Sequence, residues 1–104
     1  MDPHRHVDLD ALTEAITVDC YGEDEQLAAF ATAFDNDAAL PCPGSVVGEQ
    51  LTVVSVRIQK GRRELMATCE RLGRHYDIAL LDIDIHANQT TADLIAAYRR
   101  WNNT

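Results

Sequence analysis

Basic residues are nearly absent from the first half of this sequence: residues 1–52 hold eleven Asp or Glu against a single Arg, a balance of −10. Residues 53–104 hold six acids against eight Lys or Arg, a balance of +2, and the two halves sum to the net charge of −8. Nucleic-acid affinity arises largely from Lys and Arg displacing counterions from phosphates, so this deficit speaks against a nucleic-acid partner. What suits the acidic half is a cation, a basic partner or water.

Other absences narrow the class further. No apolar run approaches the ~18 residues of a membrane span. The start, Met1-Asp2-Pro3-His4-Arg5-His6, offers no hydrophobic stretch suited to export, so no membrane is expected and the default location is cytoplasmic. Cys20, Cys42 and Cys69 are odd in number and widely spaced; without a Cys-x-x-Cys pair or an even framework they read as reduced core or near-surface residues. The five glycines are single turn residues, so there is no phosphate-cradling loop, and no internal repeat occurs. His4, His6, His75 and His86 accompany no recognisable nucleophile motif, and no enzymatic activity is expected.

What is present is one domain. The 104 residues, 46% hydrophobic and 25% charged, form a single unit spanning 1–104, with residues 1–7 expected to fray. Leu9, Leu12 and Ile16 fall on one helical face after Asp8, a capping residue, so a first helix is expected to run to Val18. Tyr21-Gly22 breaks the pattern. Glu23-Asp24-Glu25 then opens a second helix, where the macrodipole favours negative charge, and Leu27, Phe30, Ala31 and Phe34 continue it to about Asp35-Asn36-Asp37.

Leu40-Pro41-Cys42-Pro43-Gly44 reads as a loop because two prolines lack the amide hydrogen. Beyond it the period becomes two. A short strand at Ser45 to Val47 precedes one in which Val54, Val56 and Ile58 form the buried face. Lys60-Gly61-Arg62-Arg63 reads as a turn, and Glu64 to Arg71 and His75 to Ile83 as two further strands joined by Leu72-Gly73-Arg74. A last helix starts at Thr90 or Thr91, with Thr90 and Asp93 in capping spacing and a stripe of Leu94, Tyr98 and Trp101. The expected fold is α+β: two N-terminal helices, a small antiparallel sheet or partly open barrel of four to five strands, and a C-terminal helix. Trp101, Tyr98 and Tyr21 are expected in the core rather than in an exposed patch.

Two segments carry candidate chemistry. Asp35-Asn36-Asp37 places three oxygen-bearing side chains in succession where the helix gives way to a loop with free carbonyls. Calcium takes six to eight oxygens in irregular geometry, so this loop, with Asp24 or Glu25 from a facing helix, is a candidate calcium site. It is not an EF-hand: counted from Asp35, Leu40 stands where the glycine belongs and Val46 where the closing Glu belongs. The second segment is Asp82, Asp84 and His86, which alternation places on one side of a strand as an alternative metal site. Its likeness to an aspartate-nucleophile phosphatase motif fails for want of a parallel doubly wound sheet.

Asp19-Cys20-Tyr21-Gly22-Glu23-Asp24-Glu25-Gln26 resembles the D-A-Y-G-x-E-E-Q stretch of the CcbP-like small acidic calcium-binding proteins of cyanobacteria and actinobacteria. Phe30, Phe34, Asp35-Asn36, Leu40-Pro41 and the ending Ile95 to Trp101 match in register, so the resemblance spans roughly residues 19–101. It implies calcium held by an acidic surface without EF-hands. One departure is Asp35-Asn36 where the family carries Glu then Asp, one charge fewer, with Asp37 following. The expected function is therefore a calcium buffer or sensor. The alternative is a non-enzymatic interaction module, with an acidic docking face for a protein partner or an aromatic last helix that pairs two copies.

Overall fold

Asp8 stands in extended backbone and its carboxylate accepts the N–H groups of Asp10 and Ala11, so the helix α1 starts where its cap dictates, at Leu9, and runs to Thr17. The computed structural model describes residues 8–59 and 61–103. The expected fraying of residues 1–7, with His4 and His6, and Lys60 of the expected Lys60 to Arg63 turn lie outside them. α2 spans Glu23–Asp37 and buries Leu27, Phe30 and Phe34 at the predicted helical spacing.

Three corrections concern the strands. β1 (Cys42–Val46) begins inside the segment read as a loop: β5 pairs only with Gly44 and Ser45, so Pro43, which lacks an N–H, stands where that pairing ends. β2 (Glu49–Ile58) carries a bulge: Val53 opposes Cys69 and Ser55 opposes Thr68, which leaves Val54 unpaired. That extra residue shifts the alternation, so Val53 and Val56 are buried while Val54 and Ile58 are exposed. The expected run from His75 to Ile83 divides into β4 (Arg74–Ala79), a 3-10 turn (Leu80–Asp82) and the two-residue β5 (Asp84–Ile85). β3 is Leu65–Arg71.

The turn has a topological cause. The sheet is antiparallel throughout, in the order β4-β3-β2-β1-β5, so the chain passes from one edge to the other between Ala79 and Asp84. Five residues extend ~17 Å at most, whereas four strand spacings of a flat sheet total roughly 19 Å. The sheet must therefore curl, with buried Leu80 and Ile83 anchoring the crossing segment, but its two edges do not pair and it stays open.

α3 (Gln89–Asn102) starts one residue before the expected Thr90, because Asn88 is the cap: its side chain accepts from Thr91 N–H at 2.9 Å. Thr91 is buried instead, its hydroxyl accepting the Ala39 N–H and fixing the end of α2 to the start of α3. α2 packs on β2, and α1 lies over α2 and α3. Phe30 of α2 packs against both Tyr98 and Trp101 of α3, with ring centroids 5.6 and 5.5 Å away, and those two rings stack on each other at 5.9 Å. The aromatic expectation holds for Tyr98, which is buried, and Trp101, which is half-buried; Tyr21 is 93% exposed and is not core.

Candidate functional site

The acidic half of the chain supplies α1 and α2, and α2 carries acid at both ends: Glu23, Asp24 and Glu25 in its first turn, Asp35 and Asp37 in its last. The two ends are electrostatically opposite. Exposed N–H groups and the positive pole of the macrodipole meet the first cluster, while free carbonyls and the negative pole meet the second.

At the first turn the carboxylates stabilise the helix. Gly22 caps the backbone without a side chain, and Glu25 reaches back so that Tyr21 N–H donates to its Oε2 at 2.8 Å. Glu23 is paired with Arg63 from the loop before β3. This pairing of the acidic half with the basic half recurs where Arg100 of α3 grips Asp10 of α1 with two guanidinium nitrogens, at 2.6 and 3.2 Å. The hydrogen bond and charge of Asp10 hold the Arg100 guanidinium above its ordinary pKa.

At the last turn nothing compensates. Asp35, Asn36 and Asp37 are exposed, the turn contains no basic residue, and neither Asp forms an ion pair among the described residues. The segment read as a loop is helical: Ala38 N–H closes on Phe34 carbonyl at 3.1 Å, so α2 extends through Asp37. Successive helical residues fan out by ~100°, so these three side chains diverge rather than converge. Asp24 and Glu25 stand on the same helix, not a facing one, and eleven residues of rise separate Asp24 from Asp35 by roughly 16 Å. The structure thus brings Asp35, Asn36 and Asp37 to one helix end and leaves Asp24 and Glu25 at the other.

Asp82, Asp84 and His86 are exposed as alternation predicts, and His86 Nε2 lies 3.9 Å from Asp84 Oδ2. Asp82 and Asp84 line a shallow groove of about 380 Å³ against Ala92, Ile95 and Arg99 of α3. Among the described residues no three His, Cys, Asp or Glu side chains gather closely enough to hold a metal, either in this trio or at the two acidic ends of α2. The cysteines are free, and burial pushes the thiols of Cys42 and Cys69 upward in pKa, which keeps them protonated and poor as ligands.

The functions of Glu25 and Asn88 as helix caps escaped the sequence reading. The signal for Asn88 was there: Asn is a strong capping residue, as strong as the Thr90 preferred to it. The partnership of Glu23 with Arg63 had no local signal, since forty residues and the whole of β2 separate them.

No family model matches the sequence, and neither does any curated protein. Solved structures do. The chain is similar to a calcium-binding protein in its calcium-binding form, with a TM-score of 0.75 and 17% identity over 99% of this chain and 96% of that one. It is likewise similar to CcbP of Anabaena, with a TM-score of 0.74 and 18% identity over 92% of this chain and 93% of that one. The resemblance read in residues 19–101 is thus met across nearly the whole chain: three helices and a five-stranded antiparallel sheet in the fold of Anabaena CcbP.

Proposed function

We propose that this protein binds calcium without an EF-hand, as a buffer or sensor, and takes the ion at the C-terminal end of α2 through Asp35, Asn36 and Asp37. The observation that carries the reading is the fold shared over 99% of the chain with a protein solved in its calcium-binding form. The acidic Asp19 to Gln26 stretch adds to it from the sequence side.

Electrostatics supports this location. Two carboxylates at the negative pole of a helix, with no ion-pair partner among the described residues, are an unfavourable arrangement, and a divalent ion relieves it. Hard cations want carboxylate, amide and carbonyl oxygens, which the last turn of α2 supplies together. The three side chains fan apart in helical geometry, so an ion held by all of them at once requires that last turn to open. Asp24 and Glu25 strengthen the negative field of the helical half from the other end of α2.

The test is thermal unfolding in chelator, in millimolar magnesium and in millimolar calcium. An ion at about 100 times its dissociation constant stabilises the fold by roughly 2.7 kcal/mol, a Tm rise of several degrees. A calcium-selective rise that Asp35→Asn with Asp37→Asn removes, and that Asp24→Asn with Glu25→Gln leaves in place, supports both function and site. A rise unchanged in the first pair moves the site elsewhere. Equal melting in all three solutions overturns the reading.

A further inference from the structure

β4 is an edge strand, and its free edge is self-complementary. It joins β3 through the two-residue turn Leu72-Gly73, whose φ values of 52° and 77° are those of a type I′ hairpin, with Arg71 opposite Arg74. In such a hairpin the pair that closes the turn exchanges hydrogen bonds, as does every second pair after it. Arg74, Tyr76 and Ile78 therefore direct their backbone groups at β3, and His75, Asp77 and Ala79 direct theirs outward, to no strand among the described residues.

A second copy approaching this edge antiparallel, about a two-fold axis, must pair residues of the same face, which leaves few registers. With Asp77 opposite Asp77, like charges meet at the centre. With Tyr76 on the axis, His75 of each copy lies directly opposite Asp77 of the other, both on the outer face, and these are the residues whose backbone groups point outward. Each His75–Asp77 couple then exchanges two main-chain hydrogen bonds, four in all, and sets an imidazole beside a carboxylate twice. Charged residues ordinarily keep edge strands from pairing; an imidazole and a carboxylate two residues apart do the reverse when the strand meets itself, each finding its complement.

The neighbouring side chains extend the pattern. Asp77 already accepts from Arg57 at 2.8 Å and from Thr68 at 3.2 Å, and His75 Nε2 lies 3.5 Å from Glu70. Across the junction the outer face reads Arg57, Asp77, then His75 and Glu70 of the second copy, hydrogen-bond donors alternating with carboxylates. On the inner face Tyr76, 47% exposed where the helices leave β4 uncovered, meets its own counterpart. The opposite edge, β5, is two residues long and offers no comparable ladder.

From this we infer that two copies of the protein join edge to edge through β4, Tyr76 on the two-fold axis, into one continuous ten-stranded sheet. The inference is independent of calcium. Sedimentation of the full chain over a concentration series is expected to show a monomer–dimer equilibrium. His75→Asp, which turns both attractive couples repulsive, should weaken it at least about tenfold with the fold unchanged by circular dichroism. In a Cys20→Ser, Cys69→Ala background, which removes the thiol opposite residue 76 within the chain, Tyr76→Cys should oxidise to a covalent dimer, because residues facing each other in a non-hydrogen-bonded pair stand ~4.5 Å apart at Cα. Val47→Cys, at the tip of another hairpin, should not cross-link. A protein monomeric at its highest soluble concentration overturns the inference. So does a dimer indifferent to His75→Asp whose Tyr76→Cys variant fails to cross-link, since such a dimer uses another surface.

Discussion

The hydroxyl oxygen of Tyr98, in the third turn of α3, accepts the backbone N–H of Leu65 at the first residue of β3, at 2.9 Å and wholly out of solvent. This one bond ties the last helix to the sheet across 33 residues of sequence. Leu65 opens β3 opposite Ile58, and without the tyrosine its N–H would be buried without an acceptor.

Tyr98→Phe keeps the ring against Phe30 and removes only that acceptor. The expected cost is about 1–3 kcal/mol, the desolvation of an unpaired buried donor. For a domain of this size that lowers Tm by roughly 5 °C or more. A loss below about 0.5 kcal/mol in urea unfolding would mean that water or a shifted carbonyl replaces the hydroxyl.

Helix identity was legible in the sequence because the apolar spacing of Leu27, Phe30 and Phe34 is a local property of the chain. The same holds for the stripe Leu94, Tyr98 and Trp101. The phase of β2 was not, since the bulge at Val54 exists only in relation to β3, and Val53, Val54 and Val56 are chemically indistinguishable by period alone. The break at Leu80 arises from the need to reach the far edge of the sheet, which no residue between Ala79 and Asp84 announces. For the candidate site, the sequence located the acid correctly on α2 but read Asp35 to Asp37 as a loop. Asp and Asn are poor helix formers, and the closing bond from Ala38 to Phe34 outweighs that preference.

Gly44 is confined from both sides of β1. A methyl group there would meet the Asp84 carbonyl oxygen and Ile83 Cγ2 at 3.1 Å each, and Val53 Cγ2 at 3.5 Å. The carbonyl belongs to β5, held to β1 by two residue pairs and by His86 N–H donating to Pro43 at 2.9 Å. Gly44→Ala is therefore expected to displace β5 and cost about 1 kcal/mol net, overpacking exceeding the gain from a stiffer unfolded chain. Hydrogen exchange at His86 should accelerate more than exchange in β3.

Alkaline pH should unfold the protein through groups buried in neutral form. Burial raises Cys42 and Cys69 above their ordinary 9.0, Cys69 also through the charges of Asp77 and Cys42, and burial raises Tyr98 above 10.0. The unfolded chain thus releases these protons at lower pH than the folded one. Their contribution is full below the unfolded values and is lost as pH rises through the folded ones. Urea midpoints are expected to hold to about pH 8 and then fall in two stages, thiols before phenol. Cys42→Ala with Cys69→Ala should flatten the first stage and leave the second; a profile unchanged by that pair would trace the decline to other groups.

Two hairpin tips hold apolar residues in left-handed backbone, Val47 at φ 50° and Leu72 at φ 52°, each followed by a glycine of positive φ. Both side chains stand almost wholly in solvent, 98% and 86% exposed, so packing returns nothing for the strain. A β-branched residue suffers most there, because its Cβ substituents crowd the backbone. Asparagine tolerates the region and, before glycine, favours the type I′ turn these hairpins use. Val47→Asn is expected to stabilise the fold by about 1 kcal/mol and Leu72→Asn by somewhat less, each raising Tm by a few degrees. The tips sit on adjacent hairpins, linked by Arg71 of β3 bonding Glu49 and the Gln50 carbonyl of β2, but the two tip side chains share no partner in that bridge. The gains should therefore add in the double variant. If either substitution lowers Tm, the apolar tip makes a contact in solution that the isolated chain does not show, and the sedimentation series will tell whether that contact is a second copy.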